Sequence, residues 1–346
     1  MSAALGFLLA SLLVASTAAN SAPIVQDVFT AGIGGYKCYR IPAIIKLSVT
    51  ELLAFAEGRK FNCGDHGWND LVSSRSIDGG STWGPVTLVY GESSLSINTT
   101  IGNPAPVFIP STSTILLPFS RNNKEANVLS SVDKGRSWVL MSTPLPVDKS
   151  WSWIATGPPG SLVLPSGRIV IPSDHINDAK LVYSQTFFSD DNGQSWNVSN
   201  YIVDGNEAQA VAMPWISDTA LLMSMRAEKI TSRIVSRSDD GGMTWSPSWP
   251  IITETGCEGS IVALGSLLVQ SSVFNATDRV NLSLHTSKDS GVSFKLFQVI
   301  VPGRAAYSAM IAMGPNSVGI LVELGNLTQN YVKIGYIPVN NIIASE

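Results

Sequence analysis

Short runs of apolar and β-branched residues, interleaved with polar ones, recur along the whole chain. Leu52-Leu53-Ala54-Phe55 is followed by Asp70-Leu71-Val72-Ser73-Ser74-Arg75. The same kind of pair returns as Thr219-Ala220-Leu221-Leu222-Met223 and Arg233-Ile234-Val235-Ser236, and similar runs lie at 126–129, 181–188 and 280–284. No stretch keeps a helical period for more than two turns. Runs of this length and composition predict strands, so the chain reads as all-β.

Each of five such runs leads into the same eight-residue pattern, Ser-x-Asp-x-Gly-x-Ser/Thr-aromatic. The copies run from Ser76 to Trp83, Ser131 to Trp138, Ser189 to Trp196, Ser238 to Trp245 and Ser287 to Phe294, with starts 55, 58, 49 and 49 residues apart. An Asp with Gly two residues on makes a tight turn, because the carboxylate takes nearby N–H groups and Gly adopts positive φ freely. The aromatic is expected to anchor the turn to its sheet. A repeat at this period means one supersecondary unit used many times. Six units account for the chain after a short N-terminal segment, which predicts a six-bladed β-propeller of four-stranded antiparallel blades with five boxed turns, each between the two outer strands of its blade. Residues 23–346 are read as that single domain.

Bulk properties narrow the partners. A net charge of −4 offers no surface for nucleic acid or an anionic membrane. Residues 1–22 carry no charged side chain and hold an apolar core from Leu5 to Val14 followed by small residues, the grammar of a signal peptide cleaved near residue 19. The apolar run is shorter than the ~20 residues that span a bilayer. Secretion or delivery to the lysosome is therefore expected, and Asn98, Asn197, Asn275 and Asn326 stand in glycosylation sequons; Asn281 does too, but inside a strand. With Cys38, Cys63 and Cys257, the count allows either a Cys38–Cys63 bridge with Cys257 left over, or three free thiols. No spacing of His or Cys indicates a metal, and no cofactor is expected.

Tyr39-Arg40-Ile41-Pro42 followed by five boxed turns resembles the exo-α-sialidases of the six-bladed propeller type, over residues 27–338 or so. The resemblance implies roles residue by residue. Arg40 matches the arginine of the Arg-Ile-Pro motif, Arg59 the second-strand arginine bordering the sugar, and Asp65 the acid/base aspartate. Glu207, in Asn206-Glu207-Ala208-Gln209, stands for the glutamate that assists the nucleophile. Arg226 and Arg279 stand for the other two carboxylate-binding arginines, Tyr307 for the nucleophile and Glu323 for the brace of the first arginine. Asn103 occupies a position where the family often has Asp, and Tyr39 replaces the commoner Phe. Asp70 and Glu228 are alternatives to Asp65 and Glu207.

This inventory suits one ligand class. A sialic acid carries a carboxylate on its anomeric carbon, and three guanidinium groups can grip it with forked, charge-assisted bonds. The same negative charge would repel a carboxylate nucleophile, whereas a phenol can attack once a base takes its proton; Tyr is the stated exception among retaining glycosidases. Asp65 would protonate the leaving oxygen, for which its pKa should be raised. The expected activity is release of terminal sialic acid from glycoproteins, glycolipids or oligosaccharides. A trans-sialidase or a hydrolase for a sialic acid lacking the N-acetyl group is the nearest alternative, with Trp68, Trp151 and Trp153 as possible acceptor platforms. A non-catalytic sialic-acid-binding propeller would have no use for Tyr307, Asp65 and Glu207 together.

Overall fold

The computed structural model describes residues 24–343; the leader expected at 1–19 lies outside the described residues. Every regular element among the described residues is a β-strand, and no helix there is long and apolar enough to cross a membrane. Strands pair antiparallel with their sequence neighbours. Cys38–Lys46, Leu52–Arg59, Asn69–Ser76 and Thr87–Tyr90 form one sheet of four, and Gly205–Ala212, Leu221–Ala227, Ser232–Ser238 and Trp249–Thr253 form another. The first strand, Gln26–Thr30, pairs with the last, Lys333–Val339, so the chain ends meet in one sheet. This is an all-β, propeller-like fold.

The expected set of equal four-stranded sheets is not what the hydrogen bonds draw: among the described residues there are five sheets, of seven, five, six, four and four strands. The largest exists because Lys295–Gly314 runs unbroken for 20 residues. Its first half pairs with Val280–Ser287 and its second with Ser317–Leu324. In the five-stranded sheet, Asn103-Pro104-Ala105-Pro106 interrupts the innermost run between Ile101–Gly102 and Val107–Ile109, since proline has no N–H for the ladder. In the six-stranded sheet a Gly157-Pro158-Pro159-Gly160 segment separates Trp151–Thr156 from Leu162–Val163 in the same way.

The core lies between successive groups of strands, as a stack of sheets each apolar on both faces requires. Ala43, Phe55 and Leu71 of the first four-stranded sheet pack against Ile115, Leu117 and Leu129 of the next. On their other side Ile44, Leu52 and Val72 meet Ala309, Leu321 and Tyr336 from the end of the chain. Four further clusters repeat this pairing around the molecule.

The boxed turns are built alike in all five copies. In the first, Asp78 Oδ1 accepts the Thr82 N–H at 2.9 Å and the Ser76 hydroxyl at 2.8 Å, while Oδ2 accepts the Thr82 hydroxyl at 2.6 Å. Ser76 Oγ in turn accepts the Gly80 N–H at 2.8 Å. The glycine two residues after each Asp has φ between 79° and 94°, a region where a Cβ would be strained. The aromatic, however, does not anchor the turn to its own sheet. Trp83 sits 5.5 Å from Tyr336, Trp138 5.8 Å from Phe55, and the Trp245 indole donates to Thr186 Oγ1 at 3.1 Å. Each of these partners belongs to the preceding group of strands. The boxes are rivets between sheets.

Cys38 and Cys63 are bridged, with Cα atoms 5.3 Å apart, and Cys257 is free and buried. Of the sequon asparagines, Asn98, Asn197 and Asn326 are exposed and Asn275 is half-buried; Asn281 lies in Val280–Ser287.

Candidate active site

One cavity, of about 390 Å³, is lined by Arg40, Arg226, Arg279, Tyr307, Glu207, Asp65, Arg59 and Asn103. Apart from Asp65, which stands on a loop, these residues come from strands or strand ends spread from residue 38 to residue 314, and the ring of sheets is what gathers them. Glu323 stands behind the cavity, buried, and grips Arg40 with two bonds: Nε to Oε1 at 2.8 Å and Nη2 to Oε2 at 3.1 Å. The same Oε1 accepts the Ile41 N–H at 2.8 Å. Ile41 has φ 58°, in the left-handed region a β-branched residue avoids, at a cost of about 1–3 kcal/mol that the surrounding bonds must offset. Arg40 is thus set rigidly, its Cζ 3.9 Å from the Tyr331 ring centroid and 5.0 Å from that of Tyr307. Arg279 also lies over the Tyr307 ring, at 5.3 Å, and donates to the Gly256 carbonyl at 3.2 Å.

Tyr307 sits in the long strand Lys295–Gly314 and is 5% exposed. Its hydroxyl donates to Glu207 Oε1 in a very short bond, and Glu207 Oε2 accepts Arg226 Nη1 at 3.1 Å. Burial, and then the negative charge of Glu207, push the Tyr307 phenol well up; the three arginines pull it back. Burial and Glu207 outweigh the arginines, so the arginines alone do not favour a phenolate here. Glu228 instead accepts the Asn206 side-chain amide at 3.0 Å, away from Tyr307.

Asp65 stands on the loop after Leu52–Arg59, tied by the Cys38–Cys63 bridge to the strand that carries Arg40. Its carboxylate accepts Arg59 Nη1 at 2.8 Å and lies 3.7 Å from Arg40 Nη1, yet its side chain is 69% exposed. Partial burial raises its pKa, but the Arg59 charge and hydrogen bond, with Arg40, outweigh that and hold it below the usual carboxylate value. The raised pKa expected for a general acid is therefore not found, because two cations lie within reach. Asp70 is already occupied, accepting the Tyr36 hydroxyl at 2.9 Å and the Trp68 indole at 3.0 Å.

A family model described as BNR repeat-like domain matches residues 50–320. The chain belongs to that family. A sialidase of Micromonospora viridifaciens is 25% identical, over 93% of this chain and 58% of its own. An exo-alpha-sialidase of Aspergillus fumigatus is 26% identical, over 86% of this chain and 81% of its own. The chain spans about three fifths of the length of several bacterial sialidases it matches, 58%, 63% and 62%. The fold is shared with the Hadza microbial sialidase Hz136, at TM-score 0.82 and 23% identity, covering 92% of this chain and 68% of that one. The Streptococcus pneumoniae NanB sialidase gives 0.77 at 15% identity, covering 91% and 70%.

Within this BNR-repeat protein the cavity also holds residues that the sequence reading passed over. Glu57 accepts Arg59 Nε and Nη2 at 2.9 and 2.7 Å through Oε2, and the Asn103 N–H at 2.8 Å through Oε1. Asn103 has φ 55° and gives its amide to Ser120 Oγ at 2.8 Å. Tyr331 stacks on Arg40, and Asp174, buried, also lines the cavity. A charged residue inside an apolar strand run, as at Ala56-Glu57-Gly58 or Ile171-Pro172-Ser173-Asp174, was the available signal. Of the three tryptophans considered as platforms, Trp153 lines the cavity; Trp151 stacks on His175 at 4.0 Å and Trp68 is bonded to Asp70.

Proposed function

We propose that the chain is an exo-α-sialidase, a retaining glycoside hydrolase that frees terminal sialic acid from glycoproteins, glycolipids or oligosaccharides through a tyrosyl intermediate. The observation that carries this reading is the Tyr307–Glu207 hydrogen bond set among Arg40, Arg226 and Arg279 in one cavity. Curated relatives named sialidases support it. Three guanidiniums bind the C1 carboxylate, with Glu323 fixing the first. Tyr307 Oη attacks C2 while Glu207 takes the phenolic proton, and Asp65 gives a proton to the departing glycosidic oxygen. Water then attacks C2 with Asp65 as base, and Tyr307 leaves with its proton returned from Glu207. Bound substrate favours the acid form of Asp65 in two ways: the sugar screens it from water, and the C1 carboxylate offsets the charge of Arg40.

The architecture that serves this site is, in the same proposal, a six-bladed propeller. The six inter-sheet clusters and the split pairing of Lys295–Gly314 support counting the seven-stranded sheet as two blades. The secretory route is favoured by the Cys38–Cys63 bridge, which belongs to an oxidising compartment.

The test is incubation with sialyllactose, with and without excess galactoside acceptor, for the intact protein and for Tyr307→Phe. Free sialic acid from the intact protein and none from Tyr307→Phe, which should still bind the sugar, is the expected result. Transfer to the acceptor would replace hydrolase by transferase, and full turnover by Tyr307→Phe would remove the nucleophile assignment.

A further inference from the structure

Arg233 has no place in that mechanism, yet it stands on Ser232–Ser238, opposite Arg226 in the register, and no solvent reaches it. Its guanidinium is fully engaged. Nη1 donates to Ser224 Oγ at 3.2 Å, Nε to Glu254 Oε2 at 3.2 Å and Nη2 to the Cys257 carbonyl at 2.6 Å, while Nη2 also lies 3.1 Å from Glu254 Oε1. Burying such a pair is expensive, and apolar residues of the same volume often stabilise a fold as well or better. Stability alone is a poor account of it.

What the guanidinium grips is the connection 254–260, between Trp249–Thr253 and Ile261–Leu264. Parts of the site meet there. The Gly256 carbonyl accepts Arg279 Nη2 at 3.2 Å, and Cys257 packs in one cluster with Tyr307 and Ile41. Glu258 Oε2 accepts the Ser308 N–H and Ser260 Oγ the Met310 N–H, both at 2.8 Å. Ser308 and Met310 follow Tyr307 on the strand Lys295–Gly314, so the connection holds both an arginine of the clamp and the strand of the nucleophile. The fit is tight, since a Cβ on Gly259 would lie 2.9 Å from Arg233 Nη2. Burial raises the Glu254 pKa, and Arg233, then Arg226 and Arg279, pull against it. The buried pair is therefore within electrostatic reach of two clamp arginines.

We infer that Arg233 is a positioning residue for the reaction proposed above: it fixes the connection 254–260, and through it aims Arg279 at the substrate carboxylate and keeps the Tyr307 strand in place. The inference rests on the sialidase reading. A guanidinium is required because its planar fork reaches Ser224, Glu254 and the Cys257 carbonyl together, which an ammonium cannot do. Loosening this support displaces the clamp, and a misplacement of about 1 Å can cost roughly 10²-fold in rate.

The experiment measures kcat and KM for a 4-methylumbelliferyl α-sialoside, alongside urea unfolding, for the intact protein, Arg233→Lys and the double variant Arg233→Met, Glu254→Leu. The first keeps a charge opposite Glu254 and the second removes both charges, so neither leaves an unpaired buried ion. In each, KM should rise by roughly ten- to a hundredfold and kcat fall less, since a clamp arginine grips substrate and transition state alike. A merely structural role would lower kcat through the folded fraction and leave KM as it was. Arg279→Lys is then added to each background, where its further cost should be several-fold smaller than in the parent, because the two residues act along one path. Unchanged KM in a folded variant, additive losses, or failure of both variants to fold each overturn the inference, the last by assigning Arg233 to stability alone. Those outcomes leave the sialidase reading standing, whereas no turnover by the intact protein removes that reading and this inference with it.

Discussion

Asp65 and Glu323 show how the same chemical group is set to opposite tasks by its surroundings. Glu323 is buried and spends both oxygens on Arg40, Ile41 N–H and Tyr307 N–H. Glu323→Gln leaves the Arg40 charge buried with half its partners, and removing one member of such a pair costs about 3–5 kcal/mol. Urea unfolding should show that loss, together with a raised KM for a sialoside; a variant as stable as the parent would mean that Arg40 is held by Tyr331 and the sheet instead. Asp65 is exposed by comparison, so Asp65→Asn should leave stability almost unchanged. Its turnover of natural glycosides should fall by about 10²–10⁴, and that of aryl glycosides with good leaving groups much less; equal losses on both would exclude acid assistance. That these residues would come together was legible from the resemblance, in which they arrive in a fixed order along the chain. The pKa directions were not, since they depend on which charges the fold brings within 4 Å. Glu57 and Asp174 escaped because a lone acid in an apolar run says nothing about the direction in which it points.

At the scale of the element, the boxed turn was readable as an Asp accepting backbone N–H groups beside a positive-φ Gly; the bonds of the Ser and Ser/Thr hydroxyls were found in the structure. Which sheet its aromatic would pack on was not legible, since that partner is a long-range neighbour such as Phe55 or Tyr336. The turn carboxylates carry a pH signature. Side-chain bonds from Thr82 and Ser195, then backbone N–H groups, lower the Asp78 and Asp191 pKa to about 2. Their unfolded value is about 3.9, so the unfolded chain takes up protons first as pH falls. The stabilisation is therefore complete above about pH 4 and is lost between about pH 4 and 2. A double Asp78→Asn, Asp191→Asn variant should have a lower Tm than the parent at pH 6, with the gap closing toward pH 2. A gap independent of pH would show that the turns act through shape alone.

The whole molecule depends on joining its two ends. The repeat period pointed to a ring, but not to which strand would close it, because closure pairs residues some 300 positions apart and no local signal marks them. Gln26–Thr30 completes the sheet that ends the chain, with Gln26 opposite Tyr336 and Phe29 opposite Ile334. Phe29 is wholly buried, 5.4 Å from Tyr39, one residue before Arg40. The cluster around it unites residues from both ends of the sequence, including Ile44, Leu52, Leu321 and Tyr336. Phe29→Ala should therefore cost about 3–5 kcal/mol, read from urea unfolding by circular dichroism and by tryptophan fluorescence. Both probes should shift together, since a ring opened at one seam loses support on each side. The variant should also lose sialoside turnover at temperatures well below its unfolding midpoint, because Arg40 stands on one side of that seam and Glu323 on the other. Retention of full turnover up to the unfolding midpoint would instead mean that the site is held by the inner strands alone and that the seam serves only stability.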